Sequence, residues 1–366
     1  MNESDIPPKP HQKAIHQQKL WHVYAQQKPL YVAVALMICS VFLIPCGVAV
    51  IVYSDKVFES DFRYDNISNY RYSYAAAGVN EVDFSFDGAV YSTGSAVRVD
   101  FSLPKSLSAP IYIEYHLKRF YQNYRLFFSS FGRTQVYGTA TSLPDTCRPY
   151  RWPGEVTDNR QEGYYYPCGA LAWSMFNDSI SFYKKASDTL ICAGDKFSPD
   201  GTSLIDQDCH KTGIALGSDV KSSFKPTKEI KQLSGPMWTN AGDPSSSDPF
   251  LKEGYYFGEP GHKIPETMDE DLIVWTNVAY LADFSKLYRV IDVDLVAGDY
   301  YFYIVENFDV VSFEGEKHVR LVTRNWIGGR NHVLGILLTV VGSVAFVFAL
   351  CVMIITCIKS RGLNSI

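Results

Sequence analysis

Two stretches of this chain are apolar and free of charge. Leu30 to Tyr53 and Val333 to Ile358 contain no Asp, Glu, Lys or Arg. Each exceeds the roughly 20 residues that a helix needs to cross a hydrocarbon core of about 30 Å. In lipid such a segment must satisfy its own backbone, which a helix does. The pattern predicts transmembrane helices over 30–53 and 333–358. Between them the period changes. Apolar and polar residues alternate over Val82–Phe86, Ala96–Leu103, Ile111–Tyr115, Leu272–Asn277, Tyr300–Val305 and Val319–Thr323, with Gly, Pro and Asn between the runs. Period two predicts strands and a mainly-β domain. Asp309–Phe313, then Glu314-Gly315, then Lys317 onward predicts a hairpin with a glycine turn. In one place the spacing is helical. Leu117, Phe120, Tyr124 and Phe127, with Lys118, Arg119 and Arg125 between them, predict a short helix lying aromatic side down on a sheet. Long loops are expected over 141–166, which ends in Tyr164-Tyr165-Tyr166, and over 234–267.

The flanks set an orientation. Lys9, Lys13, Lys19 and Lys28 precede the first span, against Glu3 and Asp5, and Lys359 and Arg361 follow the second. Excess Lys and Arg favours the cytoplasm, so both termini are expected there. The expected organisation is a cytoplasmic tail (1–29), a first span (30–53), an extracellular or lumenal domain (54–332), a second span (333–358) and a cytoplasmic tail (359–366). The first span is too long and starts too late for a secretory signal. The basic end of the second does not fit a removed lipid-anchor signal. A formal net charge of −5 over 366 residues provides no basic footprint for nucleic acid.

Cysteines and sequons fit that side of the membrane. Cys39, Cys46, Cys351 and Cys357 lie in the spans, where thiols act as small apolar groups. Cys147, Cys168, Cys192 and Cys209 lie in the central domain, an even number that implies disulfides outside the cytosol. Three pairings are open; short loops close most easily and favour Cys147–Cys168 with Cys192–Cys209. Asn66 (Asn-Ile-Ser) and Asn177 (Asn-Asp-Ser) are candidate glycan acceptors.

The chain carries no G-x-S-x-G, H-E-x-x-H, Walker phosphate loop or G-x-G-x-x-G. Asp269, Glu270 and Asp271 suit a solvated turn better than a calcium site, and His210 beside Cys209 lacks the C-x-x-C pair of a zinc site. No enzyme activity, cofactor or metal is expected. With no charge at membrane depth, two helices do not make a transport path. Their small residues, Pro45 and Gly47 in the first and Gly335, Thr339, Gly342 and Ser343 in the second, suit packing against partner helices.

Several separated passages resemble the cell division control protein 50 (ligand-effect modulator) family. They are FYQNYR at Phe120–Arg125, PCGALAWSMFNDS at Pro167–Ser179, DLIVWTNVAYLADFSKLYRVI at Asp271–Ile291, LVAGDYYFYI at Leu295–Ile304 and IGGRNHVLG at Ile327–Gly335. AIHQQKL at Ala14–Leu20 and LIPCG at Leu43–Gly47 also match. The resemblance implies a non-catalytic accessory (β) subunit of a type IV P-type ATPase. The partner would be the catalytic α subunit, which moves phospholipid from the outer to the cytoplasmic leaflet. It implies a β-sandwich-like central domain, a heterodimer that leaves the endoplasmic reticulum together, and residence in the endoplasmic reticulum, Golgi, endosomal or plasma membrane. Membrane lipids and N-linked glycans are the other expected partners. By position, Cys147–Cys168 matches a family disulfide and Asn177 a family glycan, whereas Cys192–Cys209 has no family counterpart. The same topology would also suit a glycosylated receptor or adhesion module acting without an ATPase.

Overall fold

A computed structural model describes residues 28–65, 72–73, 81–86, 89–310 and 313–363. It divides into two compact units: the paired terminal helices, and the domain Asp55–Arg330. Asn66 and the N-terminal stretch Ala14–Leu20 lie outside the described residues.

The terminal helices are α1 (Pro29–Asp55) and α7 (His332–Leu363), both long and apolar enough to cross a membrane. The chain is therefore a two-pass membrane protein. Their seam is built from small residues. A Cβ on Gly47 would meet Thr339 Oγ1 at 2.4 Å and the Gly335 carbonyl oxygen at 2.8 Å. One on Gly335 would meet Ile51 at 2.6 Å, and one on Gly342 would meet Ile44 at 2.9 Å. Gly47, Gly335, Thr339 and Gly342 thus pack this chain's own two helices together. Pro45 and Ser343 lie on exposed sides.

The domain is built on two antiparallel sheets. One orders β1 (Glu59–Arg63), β15 (Glu316–Thr323), β5 (Ile111–Lys118), β13 (Phe284–Ile291) and β9 (Cys209–His210). The other orders β2 (Tyr72–Ser73), β4 (Ala89–Leu103), β14 (Gly298–Val305), β7 (Ser179–Lys184) and β8 (Thr189–Ala193), with β3 (Glu81–Phe86) also on β4. Alternation decides which side chains enter. Ile111, Ile113, Tyr115 and Leu117 from β5 meet Phe302 and Ile304 from β14 and Phe182 from β7 in one core. Phe62 of β1 stands 4.7 Å from Phe101 of β4, ring centre to ring centre, across the two sheets. The architecture is a β-sandwich.

Three short helices, α2 (Arg125–Ser129), α3 (Arg133–Val136) and α4 (Ala170–Trp173), precede β7. The expected helix through Leu117 and Phe120 is corrected: Leu117 lies in strand β5, Phe120 lies in a loop, and helix begins only at Arg125. The expected strand at Leu272–Asn277 is instead α6 (Glu270–Thr276). Asp269 caps it by accepting from the Asp271 amide at 2.8 Å. Lys286 Nζ closes its other end, donating to the carbonyls of Val274, Trp275 and Asn277. The expected hairpin also fails. β14 pairs with β4 and β7, β15 pairs with β1 and β5, and Asp309 and Val310 belong to the connection between sheets.

The two long loops order each other. β6 (Tyr164–Tyr165) pairs in parallel with β10 (Met237–Trp238), and Trp238 Nε1 donates to the Glu162 carbonyl at 2.9 Å. Beyond them, α5 (Pro249–Lys252) starts at an Asp248 cap with proline in its first turn. The bridge between β11 (Tyr255–Tyr256) and β12 (Glu259–Lys263) finishes the lobe.

Candidate partner-binding surface

The segment Pro167–Ser179 is a structural knot. Cys168 bonds Cys147, with Sγ atoms 2.09 Å apart, which ties the first long loop to the sandwich. Gly169 sits at φ 110°, where a Cβ would strike the Ser130 carbonyl oxygen at 2.3 Å, so only glycine fits. Phe176 stacks on Tyr115 at 3.9 Å between ring centres. Trp173 lies in a three-ring stack, 4.7 Å from Tyr150 and 4.6 Å from His262. Its Nε1 donates to Glu259 Oε2 at 2.5 Å. Burial raises the Glu259 carboxyl to about 7, against the pull of that hydrogen bond. Burial also lowers His262 to about 4, so the ring is neutral in the stack.

Asp178, inside the sequon, is fully buried. Its Oδ1 accepts from the Asn307 and Phe308 amides and its Oδ2 from the Tyr64 hydroxyl at 2.7 Å. Lys317 Nζ lies 2.8 Å from Asp178 Oδ2 and 3.3 Å from Glu306, and donates to the Phe308 carbonyl. Asn177 beside it is half-buried, and its Nδ2 donates to the Gly261 carbonyl at 2.9 Å. A second bridge joins Cys192 to Cys209, 1.98 Å between Sγ atoms, so β8 in one sheet is tied to β9 in the other.

The acidic run is not a solvated turn. Lys211 Nζ sits 2.7 Å from Asp269 and 2.9 Å from Asp271, and Asp271 is clasped by Arg289 at 2.7 Å. Burial opposes ionisation of Asp271, but Arg289 and Lys211 outweigh it and lower its pKa. Glu270 accepts from the Gly213 and Ala215 amides, at 2.9 Å each. These carboxylates hold the 209–215 segment against α6. His210 Nδ1 pairs with Asp292 at 2.6 Å.

Phe120–Arg125 and the 275–282 segment clamp one another. Buried Gln122 takes the Ala279 amide at 3.0 Å on its Oε1. Asn123 Nδ2 donates to the Tyr280 carbonyl at 2.8 Å, and the Phe120 amide to the Ala282 carbonyl at 3.1 Å. Phe120 anchors the clamp below, against Trp275, Phe308 and Phe313. The clamp pushes apolar side chains outward. Tyr121, Tyr124, Leu126 and Leu281 are all exposed, and Tyr280 is 89% exposed. A groove of about 640 Å³, flanked by Arg119 and Arg125, runs beside Tyr121 and Tyr124. Large apolar side chains exposed together are the pattern of an interaction surface.

A sequence profile described as the LEM3 (ligand-effect modulator 3) family / CDC50 family matches residues 50–362. The chain belongs to this family. ALA-interacting subunit 3 of Arabidopsis thaliana is 31% identical over 92% of this chain and 83% of its own length. Cell cycle control protein 50A of Mus musculus is 30% identical over 72% of this chain and 69% of its own. Cell cycle control protein 50B of Homo sapiens is 26% identical, covering 74% and 78% respectively. Two of the passages quoted from the sequence meet in this fold. FYQNYR and the block from Asp271 form the clamp, and PCGALAWSMFNDS forms the knot. Sequence reasoning missed the outward face: Tyr124 reads as part of a helix lying aromatic side down, and Tyr121 and Tyr280 are given no role. The signal for it was their nearness to polar Gln122 and Asn123, which hold backbone rather than pack.

Proposed function

We propose that this chain is the non-catalytic accessory subunit of a phospholipid-translocating type IV P-type ATPase. It pairs with the catalytic α subunit, supports its folding, export from the endoplasmic reticulum and activity, and so supports phospholipid movement to the cytoplasmic leaflet. The central domain faces the lumen or the extracellular side, carries N-linked glycans on Asn66 and Asn177, and both termini are cytoplasmic. The observation that carries this reading is the clamp, where two family passages present Tyr121, Tyr124, Tyr280 and Leu281 outward. We assign that surface to the catalytic subunit. Binding one transport state of the ATPase more tightly than another would bias its cycle by the difference in affinity.

Expressing the chain with and without its ATPase tests the proposal. Retention in the endoplasmic reticulum alone, and joint exit with the ATPase, is the expected result. Independent arrival at the cell surface would instead make the chain a receptor or adhesion module.

A further inference from the structure

Two histidines face each other on the outer side of the first sheet. The register places His116 of β5 opposite His318 of β15, and Arg63 and Asp61 of β1 opposite His318 and Arg320. Both rings are buried beneath this polar layer, while Asp61 opens to solvent. His116 Nδ1 lies 3.4 Å from Asp61 Oδ2, and His318 Nδ1 lies 3.2 Å from Asp61 Oδ1. The opposite nitrogens are committed to other carboxylates, His116 Nε2 to Asp283 and His318 Nε2 to Glu316 at 3.1 Å. His116 Nδ1 is buried and makes no hydrogen bond.

A neutral ring that donates its Nε2–H to the carboxylate behind it keeps a lone pair on Nδ1. Both Nδ1 atoms then lie beside the oxygens of one carboxylate. That arrangement is repulsive unless something positive lies between them. A carboxylate behind each imidazole is the outer shell that metal-bound histidines carry.

We propose that Asp61, His116 and His318 bind a divalent first-row transition ion, zinc being the class that suits two imidazoles and one carboxylate. Ligand atoms around tetrahedral zinc stand about 3.3 Å apart, given bonds of roughly 2.0 Å. The two Nδ1-to-Asp61 separations, one to each carboxylate oxygen, are 3.4 and 3.2 Å. The candidate ligand atoms all lie within 4.8 Å of one another, so modest ring rotation closes the set. Three protein ligands leave a fourth position for water on the open, Asp61 side. The ion would staple edge strand β1 to β15 and β5.

Charged neighbours surround the site. Arg320 Nε is 3.4 Å from Asp61 Oδ1, and its guanidinium also reaches Glu59 and Ser285, which can hold it when Asp61 turns to a metal. Glu316 is shared with Lys118 and Arg63, and Glu114 with Arg324.

The test is cobalt uptake by the full chain in mild detergent, disulfides intact, chelator-stripped and without a histidine tag. One equivalent of Co²⁺ should give a saturable visible absorption band that Zn²⁺ displaces. Asp61→Asn and His318→Gln should each weaken uptake at least tenfold while near-ultraviolet circular dichroism is unchanged. Replacing His11, His16 and His22 together with Gln, or His262→Gln alone, should leave it intact. No saturable band in the unaltered chain overturns the proposal, and protons alone would then fill the gap between the rings. A band that survives both site substitutions, or that vanishes with the N-terminal histidines, overturns it equally.

Discussion

Replacing Lys317 with Met should be the most damaging single change in the sandwich. Lys317 is wholly buried, and its amine is held between Asp178 and Glu306, both also buried. Methionine matches the stem but removes the charge. Two carboxylates then face each other in a dry interior, with Asp178 still accepting from Tyr64, Asn307 and Phe308. Breaking a buried ion pair from one side costs about 3–5 kcal/mol. The domain Asp55–Arg330 should unfold with an entropy of roughly 0.6 kcal/mol per kelvin, scaled by length. The apparent Tm in detergent should therefore fall by roughly 5–9 °C. Adding Glu306→Gln to Lys317→Met should recover part of that loss, because the penalty is an uncompensated charge rather than a lost contact. The assay is differential scanning fluorimetry with disulfides intact. A Tm within about 1 °C of the unaltered chain, or a double variant that loses the sum of both changes, would refute the reasoning.

Removing the Cys192–Cys209 bridge by Cys192→Ala with Cys209→Ala should cost about 3 kcal/mol by loop entropy, given the separation of 17 residues, read as a lower denaturant midpoint. Gly47→Val should push α1 from α7, since even a Cβ meets Thr339 at 2.4 Å. Spin labels at exposed Val48 and Val340 should move apart by an ångström or more, and an unchanged distance would count against the seam. Glu259 binds a proton more tightly in the fold than unfolded, its carboxyl being raised to about 7 from 4.5. Stability from this group is thus full below about pH 4.5 and lost as pH rises towards 7. Glu259→Gln should flatten stability between pH 5 and 7.5, with the variant gaining on the unaltered chain at the upper end; parallel profiles would refute the shift.

The spans were legible from their charge-free apolar length, and β3, β4, β5, β14 and β15 from period-two alternation, whereas β1, β7, β8, β9 and β13 were not read. The start of the strand at Ile111 reads straight off IYIEY, with alternate residues in the core. α6 was misread because Leu272, Ile273 and Trp275 are apolar enough for either period. What decides it lies elsewhere in sequence: the Lys286 amine at one end and the Arg289–Asp271–Lys211 network at the other. The order of 234–267 was invisible for the same reason, since its partner is a strand near Tyr164. Aromatic spacing alone suggested a helix at Leu117–Phe127, but strand β5 claims Leu117 for the core and Phe120 turns into a cluster with Phe308 and Phe313. The small residues of the spans were recognisable as packing positions, yet the sequence could not say that Gly47 and Gly335 face each other within one chain. Asp61, His116 and His318 come from three strands and no spacing rule joins them.

Purification in mild detergent, with the co-purifying protein identified by mass spectrometry, tests the proposed role most directly. A P-type ATPase should be recovered at about one copy per chain, and Tyr280→Asp with Leu281→Asp should release it while leaving both disulfides formed. Recovery of the chain without any ATPase, or an ATPase held equally well by the doubly substituted chain, would contradict respectively the role and the surface assigned to it.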